Sequence, residues 1–462
     1  MPFLIFLVYV ALVYVYPGEV FPPLAPYRIT YWIGISGLVF AAMWLAFKRS
    51  SPLATVQFWF LLVFTCIVVI SRMLGERWFG AVIPAMNSFG PSLAMFMLCV
   101  AAVDSIPKMR ATAICIGLLS VALAAQGIAA YHFGYKTNMF LFDPITKAEY
   151  SAAADTVGPD QAEEVSPESI SDTRDQPDEL EYSEAYLMKR IRGLGLLHDP
   201  NDLALGLVMA LPLVWAGWRQ RAIARNLLLV LVPSGLLLYG LYLTRSRGGA
   251  LAFLVTICAA ASRKIGRIPA LLLFVVLMSG GVAANLATGR ALSLSDESVS
   301  GRFDAWSEGL QMLKSQPLLG VGYGLFNDHH DLTAHNSLVL CFAETGLIGY
   351  FFWFGLIVIT FIQLHGLKNL TGTDPIDAQL RHWASTLQLS LIGFMTAAMF
   401  LSRTFIPMLY LLIGMALALT LIARHAERPV WLPSFPRLGS FVLAAEVASI
   451  VLIYIVVRLR LI

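Results

Sequence analysis

Apolar residues run along this chain in stretches of about 18 to 22, broken by short polar punctuation, and an α-helix needs that length to cross a bilayer core of about 30 Å. Thirteen spans follow, near 3–16, 29–47, 53–71, 83–103, 111–131, 201–218, 226–243, 248–261, 268–286, 337–364, 383–401, 405–423 and 438–457. The first run, Phe3 to Tyr16, has no basic residues before it and no small-residue cleavage site after it, so it reads as a retained helix and not a signal peptide.

Composition agrees with this pattern. Apolar residues make up 58% and charged residues 13% of the 462 positions, too little polar surface for a water-soluble fold of this length. The predicted fold class is an all-α polytopic membrane protein with about 12 or 13 transmembrane helices. Five cysteines, Cys66, Cys99, Cys115, Cys258 and Cys341, lie in or near apolar runs, which argues against a disulfide framework or a thiolate metal site. The net charge of +3 says less than its distribution. If Lys48 and Arg49 face the cytoplasm, fifteen basic residues of the short connections fall inside and eight outside, none of the eight a lysine. The bias favours that orientation and leaves the outer arginines to be explained.

The chain then divides into N-terminal helices at 1–131, an outer loop at 132–200, central helices at 201–286, an outer cap loop at 287–336 and C-terminal helices at 337–462. Within the first loop, about 143–184 is acidic and poor in large apolar residues, too poor to offset ordering entropy, and is expected to be a disordered insertion. The cap loop carries a helical apolar pattern at Phe303, Trp306, Leu310 and Leu313 closed by Pro317, so a short amphipathic helix is predicted there. No internal repeat suggests the symmetric halves of a transporter.

With this topology three polar helix starts share the outer side: "RGLGLLHDPND" before the sixth span, "TRSRGGA" before the eighth, and "TAHNSLVLCFAETGLIG" at the tenth. Free backbone N–H groups and the helix dipole favour an anion at each, and the planar forks of Arg192, Arg247 and Arg245 match phosphate oxygens in pairs. A diphosphate is the natural guest. Arginines at helix ends also snorkel to lipid headgroups, which is the reading for Arg28, Arg458 and Arg460. Arg247 differs because Gly248 and Gly249 allow close backbone approach. Arg72 and Arg403, at outer helix ends, either join the same pocket or snorkel. His335 stands where the cap loop enters the membrane, next to Asn336 and Ser337, either of which can cap the tenth helix, and its imidazole could take a proton from a hydroxyl. Glu344, about two turns further in, needs a partner or a function to be tolerated there. His329, His330, Asp331 and His335 fit no zinc signature, and the acids Asp296, Glu297, Asp304, Glu308, Asp328 and Asp331 contain no Asp-x-Asp pair, so no obligatory metal is expected.

Four segments resemble the O-antigen ligase and O-antigen polymerase family of bacterial inner-membrane proteins: "RGLGLLHDPNDLALGLVMALPL" from Arg192, "TRSRGGALAFLV" from Thr244, "GRFDAWSEGLQMLKSQPLLGVGYGLF" from Gly301 and "HNSLVLCFAETGLIGYFFW" from His335. They keep the family's order, with a large periplasmic loop between the third and fourth. The resemblance covers roughly 190–355; the flanking helices match only in hydropathy. It implies a GT-C-like, multi-pass inner-membrane glycosyltransferase, without metal or other cofactor, acting at the periplasmic face. Its implied donor is an undecaprenyl-diphosphate-linked glycan, and its acceptor a glycan, lipid A core or protein. Membrane lipid is an expected partner and nucleic acid is not. Carried over by position, His335 is the implied general base, Arg192, Arg247 and Arg302 bind the donor diphosphate, and Asn201 is a structural or donor-contacting position. Arg245, Arg403 and Arg72 are further candidates for the diphosphate, with Asn336 and Glu344 in support. The acidic insertion before Arg192 departs from the family's shorter connection. The competing class is a transporter or flippase of lipid-linked glycans, which would be expected to place polar groups near the midplane, often in broken helices.

Overall fold

A computed structural model describes residues 2–47, 55–142, 189–287 and 297–460. The expected disordered insertion at 143–184 lies outside the described residues, as do Lys48, Arg49 and Asp296. The protein is an all-α polytopic membrane protein, and a helix covers each of the thirteen predicted stretches. These are α1 (Pro2–Val15), α2 (Ile29–Phe47), α3 (Val56–Glu76), α4 (Val82–Ala102), α5 (Ile106–Phe133), α6 (Pro200–Trp215), α7 (Ile223–Leu243), α8 (Arg247–Ile265) and α9 (Arg267–Ala287). After α10 (Glu297–Ser315) in the cap loop come α11 (Ser337–Lys368), α12 (Pro375–Ala398), α13 (Pro407–His425) and α14 (Phe435–Arg460). Among the described residues, eight helices are long and apolar enough to cross a membrane. A short antiparallel pair, β1 (Leu141–Phe142) with β2 (Arg190–Ile191), sets Leu141 opposite Ile191 and joins the two ends of the first outer segment.

Local chemistry places the helix ends. Proline opens α6, α12 and α13 at the position where a missing N–H costs nothing, and Gly134, at φ +68°, ends α5 by donating its N–H to Ala130. Side-chain bonds fix relative direction. His382, near the start of α12, lies 3.1 Å from the carbonyl of Ala216 past the end of α6. Arg263, near the end of α8, donates to Ser385 of α12 at 2.9 Å. Helix α12 therefore runs against α6 and α8, and the starts of α6, α8, α11 and α13 gather at the opposite end. Outward-facing aromatics ring both ends: Tyr27, Trp32, Trp78 and Tyr135 at the end of the helix starts, Trp59, Trp218 and Trp431 at the other. Such belts mark the two water interfaces of a bilayer-spanning bundle.

Helix α13 is the centre, almost wholly buried among α4, α11 and α12. The amphipathic helix predicted in the cap loop is α10. Trp306 donates its indole N–H to Ala334 at 2.9 Å, and Ala305, Met312 and Leu313 turn into the core.

The cap loop then enters the bundle. Helix α11 breaks at Gly346, whose φ of +65° and ψ of −171° interrupt the hydrogen-bond ladder. The segment Pro317–Gly322 fills the break. Leu347 and Ile348 donate to the carbonyls of Pro317 and Leu318 at 2.8 and 3.2 Å, while Val321 and Gly322 donate to those of Ala343 and Glu344 at 2.9 and 3.1 Å. Irregular backbone at such depth is tolerated only when protein satisfies it, as here. A side chain at Gly346 would collide with the Leu318 carbonyl, and one at Gly320 with the backbone of Glu344. Tyr323 completes the lock: its N–H donates to Ser71 Oγ, its hydroxyl to Ser88 Oγ, and its ring packs edge-on against Phe405 at 4.7 Å.

Candidate active site

Four chain segments converge where the helix starts gather. The first is the opening of α6, where Asp199 caps the helix by accepting the Asn201 N–H at 2.7 Å. Within the first turn, Asp202 is buried and holds Arg403 through both carboxylate oxygens, in a two-pronged pair. An acid in an apolar helix requires such a partner, and Arg403 on the turn between α12 and α13 supplies it.

The second segment is that turn, 399–406. Ser402 Oγ accepts the backbone N–H of His335 and the hydroxyl of Thr333, both at 2.9 Å. Ser337 Oγ accepts the Arg403 N–H at 2.8 Å and donates to the Leu401 carbonyl at 2.6 Å. Thr404 donates to the Ser337 carbonyl at 2.6 Å. The turn and the third segment, Thr333–Ser337, are thus laced together. His335 sits there with φ +46°, an uncommon conformation for a side-chain-bearing residue, held by these bonds and by the helix that follows. That helix is capped by Asn336, whose Oδ1 accepts from Leu338 and Val339. The fourth segment is the start of α8, where Ser246 caps by accepting the Gly249 N–H at 3.1 Å. A Cβ on Gly249 would come within 2.6 Å of Ala204 on α6, so close packing against α6 requires a glycine there, and one on Gly248 would sit tightly, 3.1 Å from Phe400 of the 399–406 turn. Arg247, the first residue of α8, is exposed beside that contact.

The His335 imidazole is half-buried, and among the described residues the hydrogen bond His335 makes is through its backbone N–H, to Ser402 Oγ. Burial first, then the positive charges of Arg302 and Arg403, push its pKa below the ordinary imidazole value, while Asp199 opposes them. A neutral imidazole can accept a proton. The arrangement therefore offers a base, guanidinium groups and three helix starts on one end of the bundle.

Residues 232–354 match a family profile described as O-antigen ligase. The match covers about a quarter of the chain, and over that stretch the chain is similar to the O-antigen ligase family. No curated protein matches the chain. The matched stretch runs from α7 through α8, α9, α10 and the loop in the α11 break to the middle of α11, so it contains Arg245, Arg247, Arg302, His335, Asn336 and Glu344. Arg72, Arg192, Asn201, Asp202 and Arg403 lie outside it.

The structure distributes the remaining expected residues unevenly. Arg192 donates to the carbonyls of Asn138 and Met139 beside the two-stranded pair. Arg190 sits nearer the convergence: it donates to the Thr244 carbonyl at 2.8 Å and to Asn201 Oδ1 at 3.2 Å, tying the starts of α6 and α8 together. Arg245 stacks over the Tyr242 ring, 4.3 Å from its centroid. Arg72 pairs with Glu76 and donates to the Tyr323 carbonyl, so it steadies the loop in the break. Glu344 serves the same loop, accepting the Phe326 N–H. At each helix start a side chain, Asp199, Ser246 or Asn336, accepts one or two of the N–H groups, as expected for Asn336. Among the described residues no three His, Cys, Asp or Glu side chains gather to hold a metal ion; His329 and His330 each turn Nδ1 to a nearby backbone carbonyl.

Sequence reasoning missed Arg190, Asp202 and Ser402. For Asp202 a signal existed, since a carboxylate in the first turn of an apolar helix demands a cation. Nothing in the sequence pointed to Ser402, because its partners lie 67 and 69 residues away.

Proposed function

We propose that the protein transfers a glycan from an undecaprenyl-diphosphate carrier to an acceptor hydroxyl at the periplasmic face of the bacterial inner membrane, without metal or nucleotide. The observation that carries this reading is the meeting of the matched stretch's two polar helix starts, at Arg247 and His335, with Arg302 and the Asp202–Arg403 pair at one end of the bundle. The excess of basic residues in the connections at the other end supports the reading of that end as cytoplasmic.

The chemistry follows from charge. His335 takes the proton of the acceptor hydroxyl as its oxygen bonds to the anomeric carbon, worth about 10² to 10⁴ in rate. The bond from that carbon to the diphosphate breaks, and the leaving oxygen carries the electron pair. Arg247 and Arg302, with the dipoles of the helix starts, stabilise that charge; one such donor is typically worth about 2.7 to 4 kcal/mol. Arg190 and Asn201 hold the two helix starts at fixed spacing, with Arg192 and Arg245 at the rim. The acceptor is lipid A core, a growing polysaccharide or a protein.

One observation favours the second reading, a transporter: α11 is discontinuous at Gly346. Its break is filled by the chain's own backbone, whereas a transport site leaves the broken ends to the substrate. Purified protein given an undecaprenyl-diphosphate oligosaccharide and a candidate acceptor decides between them. Product formed without nucleotide and in the presence of chelator supports transfer; donor bound but intact with every acceptor class overturns it. Mass spectrometry of surface glycans from a deletion strain then names the acceptor, through lost lipid attachment, shortened chains or unglycosylated proteins.

A further inference from the structure

The Asp202–Arg403 pair does more than neutralise a buried acid. Arg403 belongs to the turn that also supplies Ser402 and Thr404, and those residues, with Ser337, make the bonds that fix the chain on both sides of His335. Asp202 is the anchor of that turn on α6. Its carboxylate grips the guanidinium in the plane of the fork, which restricts rotation as well as distance. The backbone N–H of Arg403 is held on the opposite side by Ser337, at 2.8 Å. The chain of contacts thus runs from the buried acid through the guanidinium and the turn to the residue at φ +46° that carries the imidazole.

We propose that Asp202 is a positioning residue for His335, acting through Arg403 and the 401–404 turn to fix the imidazole's place above the start of α11. This rests on the reading of His335 as the base. Asp202 needs no contact with either substrate: it is buried, and its two oxygens are taken by Arg403. The charged groups that face His335 are Arg302 from α10, Arg403 from the turn and Asp199 from the cap of α6. Neutralising Asp202 would leave Arg403 uncompensated, so the imidazole would feel more positive charge as well as a looser mount.

The test is a titration of His335 in the full-length protein by histidine ring-carbon NMR, its resonance assigned by its loss in His335→Ala, together with steady-state transfer from an undecaprenyl-diphosphate oligosaccharide. In Asp202→Asn the His335 midpoint falls below that of the wild type, and kcat drops by about 10²-fold with the donor KM unchanged, the size of a small misplacement of a reacting group. In Arg403→Gln the midpoint rises instead. A folded Asp202→Asn with wild-type midpoint and wild-type kcat overturns the proposal. Should the single variant not fold, Asp202→Asn with Arg403→Gln leaves no unpaired charge and carries the same test: a lowered kcat at unchanged KM supports the proposal, and a wild-type kcat overturns it. The titration is independent of the reaction, so a shifted midpoint in a protein with no transferase activity would sink the functional reading and leave the electrostatic coupling standing.

Discussion

The cap loop has two ends built on opposite principles. At Pro317–Gly324 the chain enters the break in α11, the main-chain groups flanking the break find protein partners, and side chains are excluded by close backbone approach at Gly320 and Gly346. At Thr333–Ser337 the chain is also tightly bonded, but the bonds go to the backbone and leave the imidazole facing Arg302, Arg403 and Asp199. One end uses its hydrogen-bonding capacity to hold a shape. The other uses a held shape to present a charge-sensitive group. Tyr323 against Phe405 joins the two, since Phe405 belongs to the turn that grips His335.

Substitutions at the two ends should therefore fail differently. The largest effect is expected from Gly346→Val, which combines a positive φ with a backbone collision. It should cost more than about 3 kcal/mol and leave little monodisperse protein after extraction, measured by size exclusion and thermal unfolding. Gly346→Val with wild-type stability would show that the filled break is not required. At the other end, Arg247→Ala should lower kcat by about 10² to 10³-fold and shift the unfolding temperature far less than Gly346→Val does. A large loss of stability there would erase the distinction between the two ends. Glu344→Ala returns to the locked end: it strips the Phe326 N–H of its acceptor and should cost about 1 to 3 kcal/mol, seen as a lower unfolding temperature with transfer per folded molecule preserved.

The smallest effect sharpens the comparison through pH. The rate should rise with pH as His335 loses its proton, with the midpoint of that rise below the ordinary imidazole value, because burial and the two arginines disfavour the protonated form. Arg302→Gln removes one of those charges, which raises the midpoint and moves the acid limb of the profile to higher pH. A profile that does not move, or moves the other way, would detach Arg302 from the base.

How much of this was legible follows from what sequence encodes locally. Hydropathy placed all thirteen helical stretches, because the length of an apolar run is a local property. Charge bias and helix parity brought the starts at Arg247 and His335 to one end, and Asn336 proved to be one of the two caps expected for α11. The filled break was not legible. "LLGVGYG" shows that glycines are present, but not that backbone enters a helix some twenty residues further along the chain. The Asp202–Arg403 pair spans 201 residues and depends on the packing of α6 against α12, which no pattern along the chain reports. Arg190 escaped notice because Arg192 two residues on carried the motif, and only the short strand and its neighbours show which of the two reaches Asn201.

The central claim is that the chain around His335 is held so that its imidazole can act as a base at a site gathered by several helix starts. The most direct measurement is single-turnover transfer from an undecaprenyl-diphosphate oligosaccharide by purified His335→Ala, with donor affinity measured on the same preparation. The account expects donor binding within a few-fold of the wild type and a transfer rate reduced by about 10² to 10⁴-fold. A wild-type rate from a folded His335→Ala protein would contradict it.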